Sequence, residues 1–189
     1  VHKDGIRVFE NNNTDLAGLL VSIYQHFKLS YPKFYKMDHL SKLGWLASEI
    51  MLKDKFKPHI YKPEDIGILL ANANSSLDDD IKYYHSVKDV PSPSLFVYTL
   101  PNIVIGEICI RNNFKGEHAF FIQDPFDACF IEQQVNYTLD NNILEACICG
   151  WVDVLEQEYK AVLFLVEKVD REGAALFSAE NMDRIFRNS

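Results

Sequence analysis

The 189 residues are 48% hydrophobic and 13% aromatic, enough apolar mass for a sizeable core and a length that suits one domain, 1–189, rather than two. A formal net charge of −8 with no basic block argues against a nucleic-acid partner. No apolar run approaches the ~18 residues of a membrane span and no basic-then-apolar leader opens the chain, so neither a span nor a secretory signal is expected.

A short strand-like start at Ile6 to Phe9 gives way to Asn11, Asn12, Asn13 and Thr14, a turn and N-cap signal. Leu16, Leu19, Leu20, Ile23, Tyr24 and Phe27 then recur at i, i+3 and i+4, which predicts an amphipathic helix ended by Tyr31-Pro32. Asp38 is placed as the N-cap of a second helix, whose stripe is Leu40, Leu43, Ala47, Ile50 and Met51. Pro58 and Pro63 mark a loop. Asp65 to Ala73 is apolar on successive residues, as in a strand covered on both faces in the middle of a parallel sheet. Ser76 with Asp79 forms a weak capping box. Asp78, Asp79 and Asp80 lack the spacing and Gly of a calcium loop, so they read as a solvated helix start and not as a metal site.

Pro101 fits the first turn of a helix carrying Val104, Ile105, Ile108 and Cys109 on one face, which Lys115-Gly116 ends. Glu117 to Gln123 reads as a strand. Asp124-Pro125 follows at once as N-cap and N1 of a new helix, Ala128 to Asn141. A strand feeding a helix N-terminus is the outline of a nucleophile elbow, in which backbone N–H groups and the helix dipole lower a thiol's pKa or hold an oxyanion. Leu144 to Leu155 and Lys160 to Lys168 are the last strands, joined by a connection of hairpin length, and Ser178 caps a short final helix.

The chemistry-bearing residues do not assemble into a site. Cys109, Cys129, Cys147 and Cys149 lack the spacing of a zinc ribbon or a disulfide scaffold, which suits a reducing, cytoplasmic setting. Cys147 and Cys149 alternate along a strand as core, and Cys129 falls one turn inside its helix as a structural residue. None of the six His forms an H-x-x-x-H pair or follows a Gly-rich turn; His39 reads as part of a helix start and His118 as the opening of a strand. No nucleotide-binding or G-x-S-x-G pattern occurs, and no cofactor or metal is expected.

The run P-x-x-F-x-x-x-L-P-N-x-x-x-G from Pro93 to Gly106, then Lys115-Gly116-Glu117, strand and helix, resembles the amino-terminal half of β-ketoacyl synthases of the thiolase fold. Gly150, Trp151, Val152 and Asp153 resemble that family's Gly-Gly-Val-Asp strand ending, and Arg171-Glu172-Gly173-Ala174 its Arg-Gly-Ala turn. The resemblance implies an α/β, three-layer thiolase-like half: a mostly parallel five-stranded sheet with helices on both faces and its last strand or two antiparallel. It covers nearly all of the sequence. The family's carboxy-terminal half, with its two catalytic His motifs, has no counterpart in these 189 residues.

In that family the active-site Cys lies nine residues past the Gly of a Gly-Pro turn. Nine residues past Gly116 stands Pro125, and Glu117 replaces the Pro. The resemblance therefore implies the scaffold with no catalytic residue: a non-catalytic, chain-length-factor-like partner or regulatory subunit of a fatty-acid or polyketide-type condensing system. The alternative is an acyltransferase of the β-ketoacyl-acyl-carrier-protein synthase type, completed by a separate chain or using another nucleophile. The family also pairs the strand before the nucleophile antiparallel with its twin across a twofold axis. His118, Phe120 and Ile122, in a run without Lys, Pro or internal acid, are the candidate dimer edge. Implied partners are a second copy or a complete ketosynthase, with an acyl carrier protein as a further candidate.

Overall fold

The structure, a computed structural model, describes residues 1–11, 13–169 and 173–189. Asn12, Arg171 and Glu172 of the segments singled out above lie outside these described residues. The first elements form a small hairpin, β1 (His2–Lys3) against β2 (Ile6–Arg7). Asp4 and Gly5 supply its turn, both at positive φ (52° and 76°), the geometry that a two-residue hairpin loop requires. Ile6 is thereby held away from the main sheet and left exposed.

Next come α1 (Leu16–His26) and α2 (His39–Leu52). Asp15, and not the preceding Asn/Thr cluster, caps α1 by accepting from Gly18 N at 2.9 Å. Asp38 caps α2 as expected, accepting from Leu40 and Ser41 N–H at 3.1 Å each. The core strand β3 (Ile66–Asn72) leads through α3 (Leu77–Val87), α4 (Pro93–Val97) and α5 (Ile103–Asn112) to β4 (His118–Ile122). Pro101 stands two residues before α5 instead of in its first turn, because Asn102 takes the cap position. Then follow α6 (Ala128–Asp140), β5 (Ala146–Leu155), β6 (Glu158–Glu167) and α7 (Ala179–Arg187).

The main sheet has the order β4-β3-β5-β6, with β3 parallel to both β4 and β5 and β6 antiparallel to β5. Among the described residues it is four-stranded, not five-stranded as expected, because the Ile6 segment closes on His2 and Lys3 through the Asp4-Gly5 turn. All seven residues of β3 are buried. Ile66, Ile68 and Leu70 face a core shared with α1, α2 and α5, while Leu69 and Ala71 face a second core shared with α6 and α7. The same alternation in β5 sends Ile148, Val152 and Val154 to the first core and Cys147, Cys149 and Trp151 to the second. Three layers result, helices on both faces of a mixed sheet. Among the described residues no helix is long and apolar enough to cross a membrane.

The β5–β6 ladder runs in register from Ala146↔Glu167 to Leu155↔Glu158, closed by a turn at Glu156 and Gln157. Gly150 makes this ladder possible. Its φ is 139°, and a Cβ there would lie 2.1 Å from the Val162 carbonyl oxygen. Gly150→Ala is expected to lower the unfolding free energy by about 2 kcal/mol or more, through a strained backbone and a blocked strand contact; urea unfolding followed by circular dichroism measures it.

Candidate functional site

The elbow lies where β4 ends. Gly116 N–H bonds to Ile66 O at 3.0 Å, aligning the two parallel strands, and Gln123 N–H bonds to Asn72 O at 2.8 Å, so β4 and β3 finish together. The chain then turns through a cis Asp124–Pro125 peptide. Phe126 turns inward, stacked on Phe186 (4.2 Å between ring centroids) and edge-on to Trp151 (5.9 Å). Asp127 is the N-cap of α6, accepting from Phe130 N at 2.9 Å. The expected cap and first turn, Asp124 and Pro125, therefore stand outside the helix, because burying Phe126 takes another turn of chain before the helix can begin.

Two consequences follow for the elbow's chemistry. Pro125 is exposed but precedes the cap by two residues, so it does not face the free N–H groups of the α6 terminus. Cys129 is the second helical residue, not one turn inside, and its side chain is exposed. Both border a shallow depression of about 350 Å³ that is also lined by Gln123, Asp124, Asp127 and Asp183. Three carboxylates around one depression disfavour a developing oxyanion, the reverse of what thioester chemistry needs.

The six His do not gather there. His118 opens β4, four residues before the strand's end and hence about 13 Å along it, with its Nδ1 3.5 Å from Gly116 O. The other five lie on the amino-terminal hairpin (His2), α1 (His26), α2 (His39), the 58–60 turn (His59) and α3 (His85). Among the described residues no group of three or more His, Cys, Asp or Glu is placed to hold a metal ion. Cys147 and Cys149 are fully buried; burial pushes the Cys147 thiol up to about 12 and Cys149 well above the ordinary thiol value.

Beyond the carboxyl ends of β3 and β5 lies a polar cluster that the sequence reading missed. Asp78 and Asp79 are buried, not solvated. Asp78 accepts from Glu156 N at 3.0 Å in the β5–β6 turn, is paired with Lys82, and lies 3.6 Å from His39 Nδ1. Ser76 does not cap α3 with its side chain; its hydroxyl donates instead to Thr99 O at 2.8 Å. Asp79 is 1% exposed, and burial, a hydrogen bond with Asp38 and the Asp38 charge together raise its carboxyl to about 8, so it is largely protonated at neutral pH. Burial and Lys82 hold His39 below its ordinary value. These groups tie α2, α3 and the β5–β6 turn together.

A carboxyl whose folded pKa is raised from 3.8 to about 8 binds a proton in the folded state that the unfolded chain releases between those values. Stability is therefore expected to fall as pH rises from about 4 to about 8, and to level off above. Asp79→Asn keeps the neutral form at every pH and should flatten that part of the curve, as read by urea midpoints at pH 5, 7 and 9.

The outer edge of β4 is one of the two edges of the sheet, β6 forming the other, since β3 is the sole strand paired with β4 among the described residues. Phe120 packs against the first core, while His118 and Ile122 are exposed. The Asp78 segment does not shield this edge; it packs against the β5–β6 turn.

No protein-family model matches the sequence, and no curated protein matches it either. Solved structures do resemble the fold. "The ishigamide ketosynthase/chain length factor" superposes with a TM-score of 0.61 at 16% identity, over 80% of this chain and 40% of that one. A ketosynthase in complex with its chain length factor from Xenorhabdus doucetiae gives 0.51 at 12% identity, over 67% of this chain and 50% of that one. A type II PKS acyl-carrier protein in complex with its ketosynthase bound to the hexaketide gives 0.53 at 19%, over 76% and 47%. The protein thus has a ketosynthase-like fold and spans half or less of the length of these structures.

Replacing Pro125 by Cys tests the elbow directly. In a Cys129→Ser background, Pro125→Cys is expected to be alkylated by iodoacetamide at pH 7 no faster than free cysteine, and to confer no condensing activity.

Proposed function

We propose that this chain is a non-catalytic, chain-length-factor-like subunit that pairs with a complete ketosynthase in a fatty-acid or polyketide-type condensing system. The observation carrying this reading is the elbow: the ketosynthase-like strand–turn–helix is present, but the turn holds Pro125 among Asp124, Asp127 and Asp183. Claisen condensation needs a thioester nucleophile and donors to stabilise the developing enolate. Neither is assembled here among the described residues.

What the fold offers a partner is an edge. β4 pairs with β3 along one side and presents its other side over five residues, with Phe120 and Phe121 among them and no Lys, Arg, Asp or Glu, so a facing strand would complete its hydrogen bonds. We assign that position to a ketosynthase subunit, with His118, Phe120 and Ile122 on the contact strand. The active site of the assembly then belongs to the partner, and this chain shapes the space available to the growing acyl chain.

A second reading rests on Cys129, whose exposed thiol sits in the first turn of α6. It could accept an acyl group, with the His residues supplied by another chain.

Co-purification with a complete ketosynthase and intact-mass analysis after incubation with acyl-carrier-protein thioesters separate the two. The subunit reading predicts capture of the ketosynthase by the wild type, loss of at least tenfold in affinity for Phe120→Lys, and no acyl adduct on this chain. Equal capture by wild type and Phe120→Lys removes β4 from the interface. An adduct that Cys129→Ser abolishes establishes the acyltransferase instead.

A further inference from the structure

Helices α3 and α4 are joined to the body of the protein by polar groups. Among the described residues from 77 to 103, Asp78 and Asp79 alone are buried. A surface helix ordinarily holds its place by an apolar stripe turned inward; here Leu77, Ile81, Tyr84 and Val87 of α3 and Phe96 and Val97 of α4 are exposed instead. The two helices hold each other. Phe96 lies against Tyr83, 5.4 Å between ring centroids, and Ser92 N–H donates to Ser86 Oγ at 3.3 Å. At the neck, where the segment leaves and rejoins the body, the Ser76 hydroxyl donates to Thr99 O at 2.8 Å, and the half-buried ring of Tyr98 packs on the first core. Beyond the neck, the hydrogen bonds and ion pairs that reach the body among the described residues run through the two buried acids. Asp78 accepts from Glu156 N–H at 3.0 Å and lies 3.6 Å from His39, and Asp79 is hydrogen-bonded to Asp38.

We infer that residues 77–98 form a strap that swings off α2 and the β5–β6 turn as one body, with the proton held between Asp79 and Asp38 as its latch. The groups around Asp79 explain why one proton decides the matter. From α2 come Asp38 and Lys42; from α3 itself come Asp78 and Lys82; from the neck comes Tyr98, which also faces Glu107 of α5, itself paired with Lys33 at 2.8 Å. The β5–β6 turn offers the Glu156 N–H, which Asp78 takes. His39 is turned to Asp78 and held below its ordinary value. Lys82 sits closer to Asp78 than to Asp79, 3.8 Å away. A neutral Asp79 therefore bonds to Asp38, whereas an ionised one meets a like charge with its nearest cation already engaged, and water becomes the better surrounding. The closed strap holds this proton up to a pH of about 8, while an Asp79 exposed on the open strap releases it near 3.8. Closure is thus favoured at low pH and loses ground as pH rises between those values. Local opening below the global transition suits a segment with so little apolar burial. It bares the carboxyl ends of β3 and β5, the end of the sheet at which the elbow also lies, and it does not depend on the assignment of β4 to a ketosynthase.

Hydrogen exchange of the purified full chain, read by mass spectrometry at pH 5, 6 and 7.5 and divided by the intrinsic amide rate at each pH, tests the strap. Peptides from α3 and α4 are expected to be roughly a hundredfold less protected than those from β3, and to lose about tenfold or more in protection from pH 5 to pH 7.5. In Asp79→Asn, with folding verified by far-UV circular dichroism, that loss should shrink to about twofold or less, because the latch stays neutral at every pH. Asp38→Asn keeps a capping side chain on α2 and removes the facing charge; it should reduce the loss several-fold, and it decides the question where Asp79→Asn proves unfolded. Peptides from α3 and α4 that are as well protected as β3 at every pH overturn the strap. Lower protection that does not change with pH, or a change that persists undiminished in the folded variants, overturns the latch.

Discussion

The rest of the structure depends on β3 being hydrogen-bonded along both edges and buried on both faces. A strand in that position must be apolar on every residue, must carry no side chain where a neighbouring backbone crosses it, and must have both neighbours delivered in register. Gly67 and Gly116 meet the second demand: a Cβ on either would lie within 2.4 to 2.5 Å of a carbonyl oxygen of the other segment. Lys115 N–H to Pro63 O and Glu145 N–H to Asp65 O, both 2.8 Å, deliver β4 and β5. The elbow's place at the carboxyl end of the sheet follows from that register, whatever residue occupies its tip. The sheet's order is therefore lodged in β3, several residues away from the turn.

The carboxyl ends of the same strands set the second constraint. β3 and β5 end in polar segments, and their groups have to be satisfied before the chain can leave the sheet. Asp153 does this for Asn74, accepting from its backbone N–H at 3.1 Å and its side-chain amide at 2.8 Å. Asp78 does it for the β5–β6 turn. Once Asp78 faces inward, helical geometry puts Asp79 and Lys82 on the inner side and Leu77, Ile81 and Tyr84 on the outer. The outward apolar stripe is therefore a geometric consequence of capping the sheet with α3. A buried ion pair of this sort costs desolvation, and here protonation of Asp79 lowers that cost by removing one charge from beside Asp38.

Much of this was legible from residues whose local signal and tertiary role agree. Asp38 before an apolar periodic run, the unbroken apolar β3, the alternating Cys147 and Cys149, and Ser178 before α7 are all found as their patterns imply. The misplacements have a common cause, two local signals in competition. Asp4-Gly5 is a hairpin turn and Ile6 to Phe9 a strand pattern; the turn prevailed, since closing two adjacent residues costs far less entropy than reaching the sheet. Asp124-Pro125 and Asp127 are both cap signals, and burial of Phe126 chose the later one. Periodicity in α3 defines two faces without saying which is inward. Three adjacent acids look solvated until the β5–β6 turn, seventy-odd residues away, supplies the N–H that draws Asp78 inside.

The packing of α7 makes the elbow a structural joint. Met182 is buried against α6, Ala179 N–H donates to Glu132 at 2.9 Å, and Phe186 stacks on Phe126, the residue that turns inward at the elbow. Lys160 of β6 fixes the same ring from the other side, with its ammonium 4.1 Å from the Phe186 centroid. Phe126 is thus clamped between helix and sheet by aromatic contacts that are each worth about 1 kcal/mol. A catalytic elbow needs its tip held and its surroundings open to substrate, with N–H donors aimed at the reacting carbonyl. Here the aromatic clamp holds the turn firmly, but its outer side meets Asp183 of α7 together with Asp124 and Asp127. The turn is ordered by this clamp, and the charges beside it are acidic.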